Sequence, residues 1–263
     1  MRLIVCVPRW GQEHQPLGEF LDRAVASGFD GVEMGLDAQV DVGAACRGRG
    51  LALIVQLHSG GADAQAHGTS LTAGIQRAAA AGALLVNAHA GSDAFTHAEN
   101  LQVIATAIDA AAAAGIPLTI ETHRARATAT AMATRELLHA EPRLRLAADL
   151  SHWVCVHAGL DAHRAAVELA LSRTAHLHAR VGHRNGPQVA DPRAPMWVNE
   201  LTQHLAWWSG VIARHHAAGA AQLTVTCEHG PPSYQVCDPW SGRPLADQWE
   251  VNTWMAGQVR TLL

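Results

Sequence analysis

Leu118-Thr119-Ile120-Glu121-Thr122-His123 is the stretch on which the fold turns. A short apolar run stops at a carboxylate, and three later segments repeat the pattern. They are Leu146-Ala147-Ala148-Asp149-Leu150-Ser151-His152, Ala175-His176-Leu177-His178-Ala179-Arg180, and Leu223 to Glu228 followed by His229-Gly230. Each ends in a hard metal-type ligand, and each lies a helix-length from the next. A (β/α)₈ barrel brings the ends of its strands to one rim. This spacing therefore gathers Glu121, Asp149, His178 and Glu228 around one divalent cation.

Working outward, β-like runs alternate with Ala-rich helical stretches along the whole chain. The runs are Leu3–Val7, Gly31–Met34, Leu53–Gln56, Leu84–Asn87, Leu118–Thr122, Leu146–Leu150, Ala175–Ala179 and Leu223–Glu228. Helices are expected over Leu17–Ser27, Ser70–Ala81, Ala98–Ala114, Thr128–His139, Leu160–Ser172 and Trp197–Ala218. Gly28, Gly82 and Gly115 each fall just past a helix, with a strand soon after. Alternation of this kind implies parallel strands with crossover helices, and eight evenly spaced strands favour closure. The expectation is one α/β barrel domain over residues 1–263, with long loops after the seventh strand (180–195) and the eighth (230–247).

Composition narrows the function. The 263 residues include no lysine, which excludes Schiff-base aldolases and pyridoxal phosphate enzymes and removes the Walker lysine. No nucleotide cofactor is expected. A net charge of −4 argues against a nucleic-acid partner. Five scattered cysteines, no Cys-x-x-Cys, a first apolar run too short for a signal peptide and no long apolar stretch point to a soluble cytoplasmic protein, without membrane contact.

Strand parity aims Glu121 with Thr119 and His123, His178 with His176, and Glu228 with Thr226. Buried carboxylates need a counter-charge, and a shared cation supplies it. Oxygen ligands with one imidazole suit Mn²⁺ first, with Mg²⁺, Co²⁺ or Zn²⁺ as alternatives. Singly, each residue has an ordinary reading: a strand-end Asp or Glu caps a helix, and a His bonds in the core. Further candidates are His58 and His89 at the ends of the third and fourth strands, Trp10 and Trp153 as stacking surfaces, and Arg180, whose ordinary alternative is an ion pair with Glu33. The Trp207–Trp208 and Trp249–Trp254 stretches suggest packing or contact in a homo-oligomer.

These motifs make the chain resemble the xylose isomerase-like TIM-barrel superfamily (AP endonuclease family 2), which includes sugar isomerases, ketose 3-epimerases, inosose dehydratases and endonuclease IV. The resemblance runs from Gly28-Phe29-Asp30-Gly31-Val32-Glu33 to Glu228, and the segment His176–Pro195 is similar to a subgroup described as sugar phosphate isomerase/epimerase. It implies a small carbohydrate substrate, the ligand set already given, Glu121 and Glu228 as the acid/base pair, and His152 and Arg184 as substrate contacts. One departure stands out. Where ketose epimerases carry a further substrate-binding Glu, this chain has Arg124 and Arg126, which suggest an anionic substrate such as a sugar acid or phosphate. A metal-dependent lyase or dehydratase would use the same pair. An endonuclease IV-like reading can place ligands on His58, His89, Glu121, Asp149, His152, His178 and Glu228, but has Asp191-Pro192-Arg193 where its Asp-x-His pair belongs.

Overall fold

Eight short strands, each apolar on the face toward the helices, close on themselves in the computed structural model, which describes all 263 residues. They are β1 (Arg2–Pro8), β2 (Gly31–Met34), β3 (Ala52–His58), β4 (Leu85–His89), β5 (Leu118–Glu121), β6 (Leu146–Ala148), β7 (Thr174–Ala179) and β8 (Gln222–Cys227). Every neighbouring pair is parallel, and β8 returns to β1 through Leu3↔Leu223 and Val5↔Val225. The strands are therefore buried on both faces, as a parallel barrel requires. The helices are α1 (Leu17–Ala26), α2 (Val42–Arg47), α3 (Ala64–Ala80), α4 (His97–Ala114), α5 (Ala131–Ala140), α6 (Leu150–Val156), α7 (Arg164–Ser172), α8 (Val198–Ala217) and α9 (Gln248–Arg260). None is long and apolar enough to cross a membrane.

The main hydrophobic core lies between strands and helices, with Phe20, Ile75, Ile104, Leu137, Trp153 and Trp208 among its largest members. Inside the barrel the floor is a small separate cluster of Ile4, Cys6, Ile54 and Leu85. Above that floor the interior turns polar, with Glu33, Asn87, His176 and Thr226 all buried. The barrel thus has an apolar plug at its base and a charged layer at the C-terminal ends of its strands, where the loops of such barrels build sites.

Several boundaries differ from expectation, and α3 begins at Ala64, ahead of the expected Ser70. The sixth strand stops at Ala148, because Asp149 turns to cap α6 and accepts a hydrogen bond from Ser151 N at 3.0 Å. The expected helix Leu160–Ser172 opens with a 3₁₀ turn at Asp161–His163 before α7 begins. Helices α2 and α6, at six and seven residues, are too short to show an apolar period in sequence.

His204 of α8 is fully buried and ties the β7 loop to that helix. Its Nδ1 donates to Glu200 O at 2.8 Å, and its Nε2 accepts from Gly182 N at 3.4 Å. Burial pushes its pKa down to about 4. The unfolded chain therefore binds this proton first, so stability is full above about pH 6.5 and falls as the pH drops toward 4, by up to about 3 kcal/mol. His204→Gln keeps the donor and acceptor without titrating. Its denaturation free energy should fall less steeply than wild type between pH 6.5 and 4; identical slopes would contradict the assignment.

Candidate metal centre

Three carboxylates and an imidazole meet at the C-terminal ends of β5, β6, β7 and β8. Ligand atoms of Glu121, Asp149, His178 and Glu228 all lie within 4.8 Å of one another, and all four residues are buried. Each is held by a different local device. Glu121 ends β5, where His89 Nε2 donates to its Oε2 at 2.7 Å and Asn87 Nδ2 donates at 3.0 Å. Asp149 is held at both oxygens: Oδ1 caps α6, while Oδ2 accepts from the Arg180 guanidinium. Its backbone is clamped to β5 by Thr122, whose Oγ1 lies 2.8 Å from Asp149 N and 2.9 Å from Asp149 O.

His178 sits between two charged layers. Its Nδ1 is 2.9 Å from Glu228 Oε2 and 3.6 Å from Glu121 Oε2, and its Nε2 is 3.0 Å from Glu33 Oε2. Glu33, on β2, is in turn held by Thr226 Oγ1 at 2.5 Å, Asn87 Nδ2 at 2.9 Å and His176 Nε2 at 3.2 Å. This carboxylate below the imidazole fixes ring orientation, the arrangement that raises ligand basicity at metal sites. Burial opposes charge on His178, but Glu228, Glu33 and Glu121 hold its pKa well above the ordinary value. Burial likewise pushes Asp149 up to about 6, with Arg180 opposing and Glu228 and Glu121 adding to the rise. For Glu121 the burial penalty is outweighed by His89 and His178, which hold it well below the usual carboxylate range.

Hard oxygens converging with one imidazole fit a divalent cation of the Mn²⁺, Mg²⁺, Co²⁺ or Zn²⁺ type. Arg180 is the guanidinium packed against the cluster. It is buried, donates Nε to Ser151 Oγ at 3.0 Å and Nη2 to His152 Nε2 at 2.7 Å, and lies 3.5 Å from Glu228 Oε2. Its partners are therefore Asp149 and Glu228, in place of the Glu33 pairing that sequence offered as the ordinary alternative.

A cavity of about 220 Å³ opens directly onto Glu121, Glu228 and Arg180. Trp10, Gln56, His58, His123, Arg126 and Tyr234 form its walls. A ladder of imidazoles runs across four strand ends, with ring centroids 4.3 Å apart for His58–His89 and His89–His123 and 4.0 Å for His123–His152. Burial pushes His58 down to about 4 and His123 to about 3, so these rings are neutral donors and acceptors at ordinary pH. Gly230 leaves room for Trp10, whose ring would stand 2.3 Å from a Cβ placed there.

The sequence candidates divide cleanly. His58, His89, Arg126, Arg180 and Trp10 border the cavity with Glu121 and Glu228, while His152 stands behind Arg180. Arg124 places its guanidinium 4.8 Å from the Tyr234 ring. Arg184 is elsewhere: His183 and Gly186 pair back-to-back at 2.8 and 3.0 Å, and this tight turn throws Arg184 outward, where it is exposed and donates to Ala158 O at 3.3 Å. Counting residues past His178 could not show that reversal. Trp153 offers no stacking face, being wholly buried with Nε1 donating to Thr128 O at 2.9 Å. Tyr234, the only tyrosine, was not singled out, although it lies in the long loop where contacts were sought. Thr226 and Glu33 are legible as inward-facing, but their role with Asn87 as a supporting layer under His178 appears only when opposite strands face each other.

Fold and site define an enzyme-type barrel with a cation-ready acidic rim. The xylose isomerase-like TIM barrel model matches residues 21–233, and the chain belongs to that family. Among solved structures it is similar to D-allulose 3-epimerase from Methylomonas sp., at 16% identity and TM-score 0.71, covering 100% of this chain and 98% of that one. It is also similar to an IolI protein with a bound zinc atom (13%, TM-score 0.66, covering 100% and 96%) and to endonuclease IV from Thermus thermophilus (14%, TM-score 0.61, covering 100% and 98%). Likeness at these identities shows the fold alone. No protein of curated function matches the sequence.

Arg180→Ala should destabilise the cation-free protein by about 3–5 kcal/mol in urea titrations, because it strands Asp149 without its buried guanidinium partner. Arg184→Ala should change stability by less than about 0.5 kcal/mol. Equal effects of the two substitutions would contradict the placement of Arg180.

Proposed function

We propose that the protein is a divalent-metal-dependent isomerase or epimerase acting on a sugar or sugar derivative, with Glu121, Asp149, His178 and Glu228 as the metal ligands. One observation carries this reading. Glu121 and Glu228 belong to the four-residue cluster and also face the same small cavity. A cation bound at these residues supplies Lewis-acid polarisation of a substrate carbonyl, worth several kcal/mol. Two carboxylates beside one substrate can then take a proton from the carbon next to that carbonyl and return it. Positioned acid/base groups of this kind contribute roughly 10²–10⁴-fold each.

The supporting residues serve that exchange. His89 and Asn87 hold Glu121 Oε2 in place, and Arg180 restrains Asp149 while lying beside Glu228. Trp10 and Tyr234, ring centroids 5.0 Å apart and edge to face, give the cavity a partly apolar wall suited to the C–H face of a polyol and limit water at the reacting carbon. The family includes epimerase structures such as the Methylomonas enzyme, and the same pair could instead complete an elimination.

A second reading has one observation behind it. His89, Glu121 and His123 also bring ligand atoms within 4.8 Å of one another, which would suit a further cation and a hydrolytic, endonuclease IV-like centre. Asp191, where that reading expects its Asp-x-His pair, is instead engaged by Arg193 at 2.8 Å. The isomerase reading is preferred.

Glu121→Gln and Glu228→Gln should each lower solvent-deuterium incorporation into substrate by about 10²-fold or more, with circular dichroism unchanged. Wild-type exchange rates in either variant would remove the acid/base assignment.

A further inference from the structure

The loop between β5 and α5 carries two guanidiniums that the fold leaves without an acid. Arg124 and Arg126 are both half-buried, and neither is paired with a carboxylate. Arg126 is anchored by one nitrogen only, Nη1 donating to the carbonyls of Ser59 at 3.3 Å and Gly91 at 3.5 Å. Those carbonyls lie just past β3 and β4, and the anchor holds the guanidinium in the wall of the cavity that opens on Glu121 and Glu228. Arg124 packs 4.8 Å from Tyr234, another wall residue. Between them Ala125 adopts φ 62°, a left-handed backbone that costs a residue with a Cβ about 1–2 kcal/mol.

A partly desolvated guanidinium ordinarily recovers its lost hydration from a carboxylate. Here carboxylates are plentiful nearby, yet Arg180 takes Asp149 and the histidines take Glu121 and Glu228. Arg126 is left with Nε and Nη2 free of protein partners, a pair of donors set for a planar oxyanion. The acidic rim would otherwise repel any negatively charged substrate, so a cation in the cavity wall changes what can enter.

We propose that the substrate of this site is acidic, a sugar or polyol bearing a carboxylate or phosphate group that Arg126 binds, with Arg124 beside Tyr234 adding charge at the rim. The proposal rests on the isomerase reading for the reaction but not for the binding. A cavity of about 220 Å³, roughly seven waters in volume, suits one small acid and not a nucleotide.

The test uses the metal-replete full-length protein and calorimetric titration with matched probes: a neutral hexose, its uronic acid and its 6-phosphate. One of the two acids should bind at least about 10-fold more tightly than the neutral hexose, as a charge-assisted hydrogen bond requires. Tighter uronate binding assigns a carboxylate; tighter phosphate binding assigns a phosphate ester. Arg126→Gln should remove most of that preference while bound metal per chain stays the same, and Arg126→Lys should retain part of it. Equal affinity for charged and neutral probes, or a preference that survives in Arg126→Gln, overturns the proposal. Deuterium exchange separates the two readings. Acid-selective binding without proton exchange keeps the anion site and removes the isomerase; equal exchange on neutral and charged sugars does the reverse.

Discussion

Three carboxylates forced together at the dry end of a barrel are the constraint on which the rest depends. Glu121, Asp149 and Glu228 are buried beside one another, and isolated charges in such a place cost several kcal/mol each. The chain meets this with buried hydrogen-bonding partners on three sides. Arg180 takes Asp149 and lies beside Glu228, His178 bridges Glu228 to Glu33, and His89 holds Glu121. On the proposed reading a divalent cation at the centre would complete the compensation and turn an electrostatic liability into chemistry.

That compensation reaches down through the barrel. His176 and His178 alternate along β7 so that both aim inward, one onto Glu33 and the other onto Glu33 and the rim. Thr226 and Asn87 close the remaining positions around the Glu33 carboxylate. A wholly apolar barrel interior would leave His178 free to turn, and its Nδ1 would not be held toward the rim. The loops follow the same logic: Gly182 packs so closely on Ser151 that a Cβ would meet its carbonyl at 2.7 Å. This brings the β7 loop against α6 beside the Asp149 cap.

Much of this was legible in the sequence, for physical reasons. Period-two alternation fixed which face Glu121, His178 and Glu228 share, and evenly spaced strands located the rim where they meet. Asp149 read as either a helix cap or a ligand, and in the fold Oδ1 caps α6 while Oδ2 is held by Arg180. What escaped was governed by local turns and by contacts between distant segments. Arg184 lies at the right count past His178, but the His183–Gly186 turn reverses the chain and carries it outward. Trp153 follows His152 directly, yet one residue along a helix rotates by about 100° and sends it into the core. Tyr234 gained its place only because the long loop between Cys227 and Gln248 folds back over the mouth, which no periodicity announces.

The most direct test of the central claim is the metal content of the purified protein by elemental analysis, after loading with Mn²⁺, Co²⁺ or Zn²⁺ and desalting, with Asp149→Ala and Glu121→Ala measured alongside. The account predicts about one divalent ion per chain, lost in both variants. Protein that holds no ion after loading, or variants that bind as well as wild type, would contradict it.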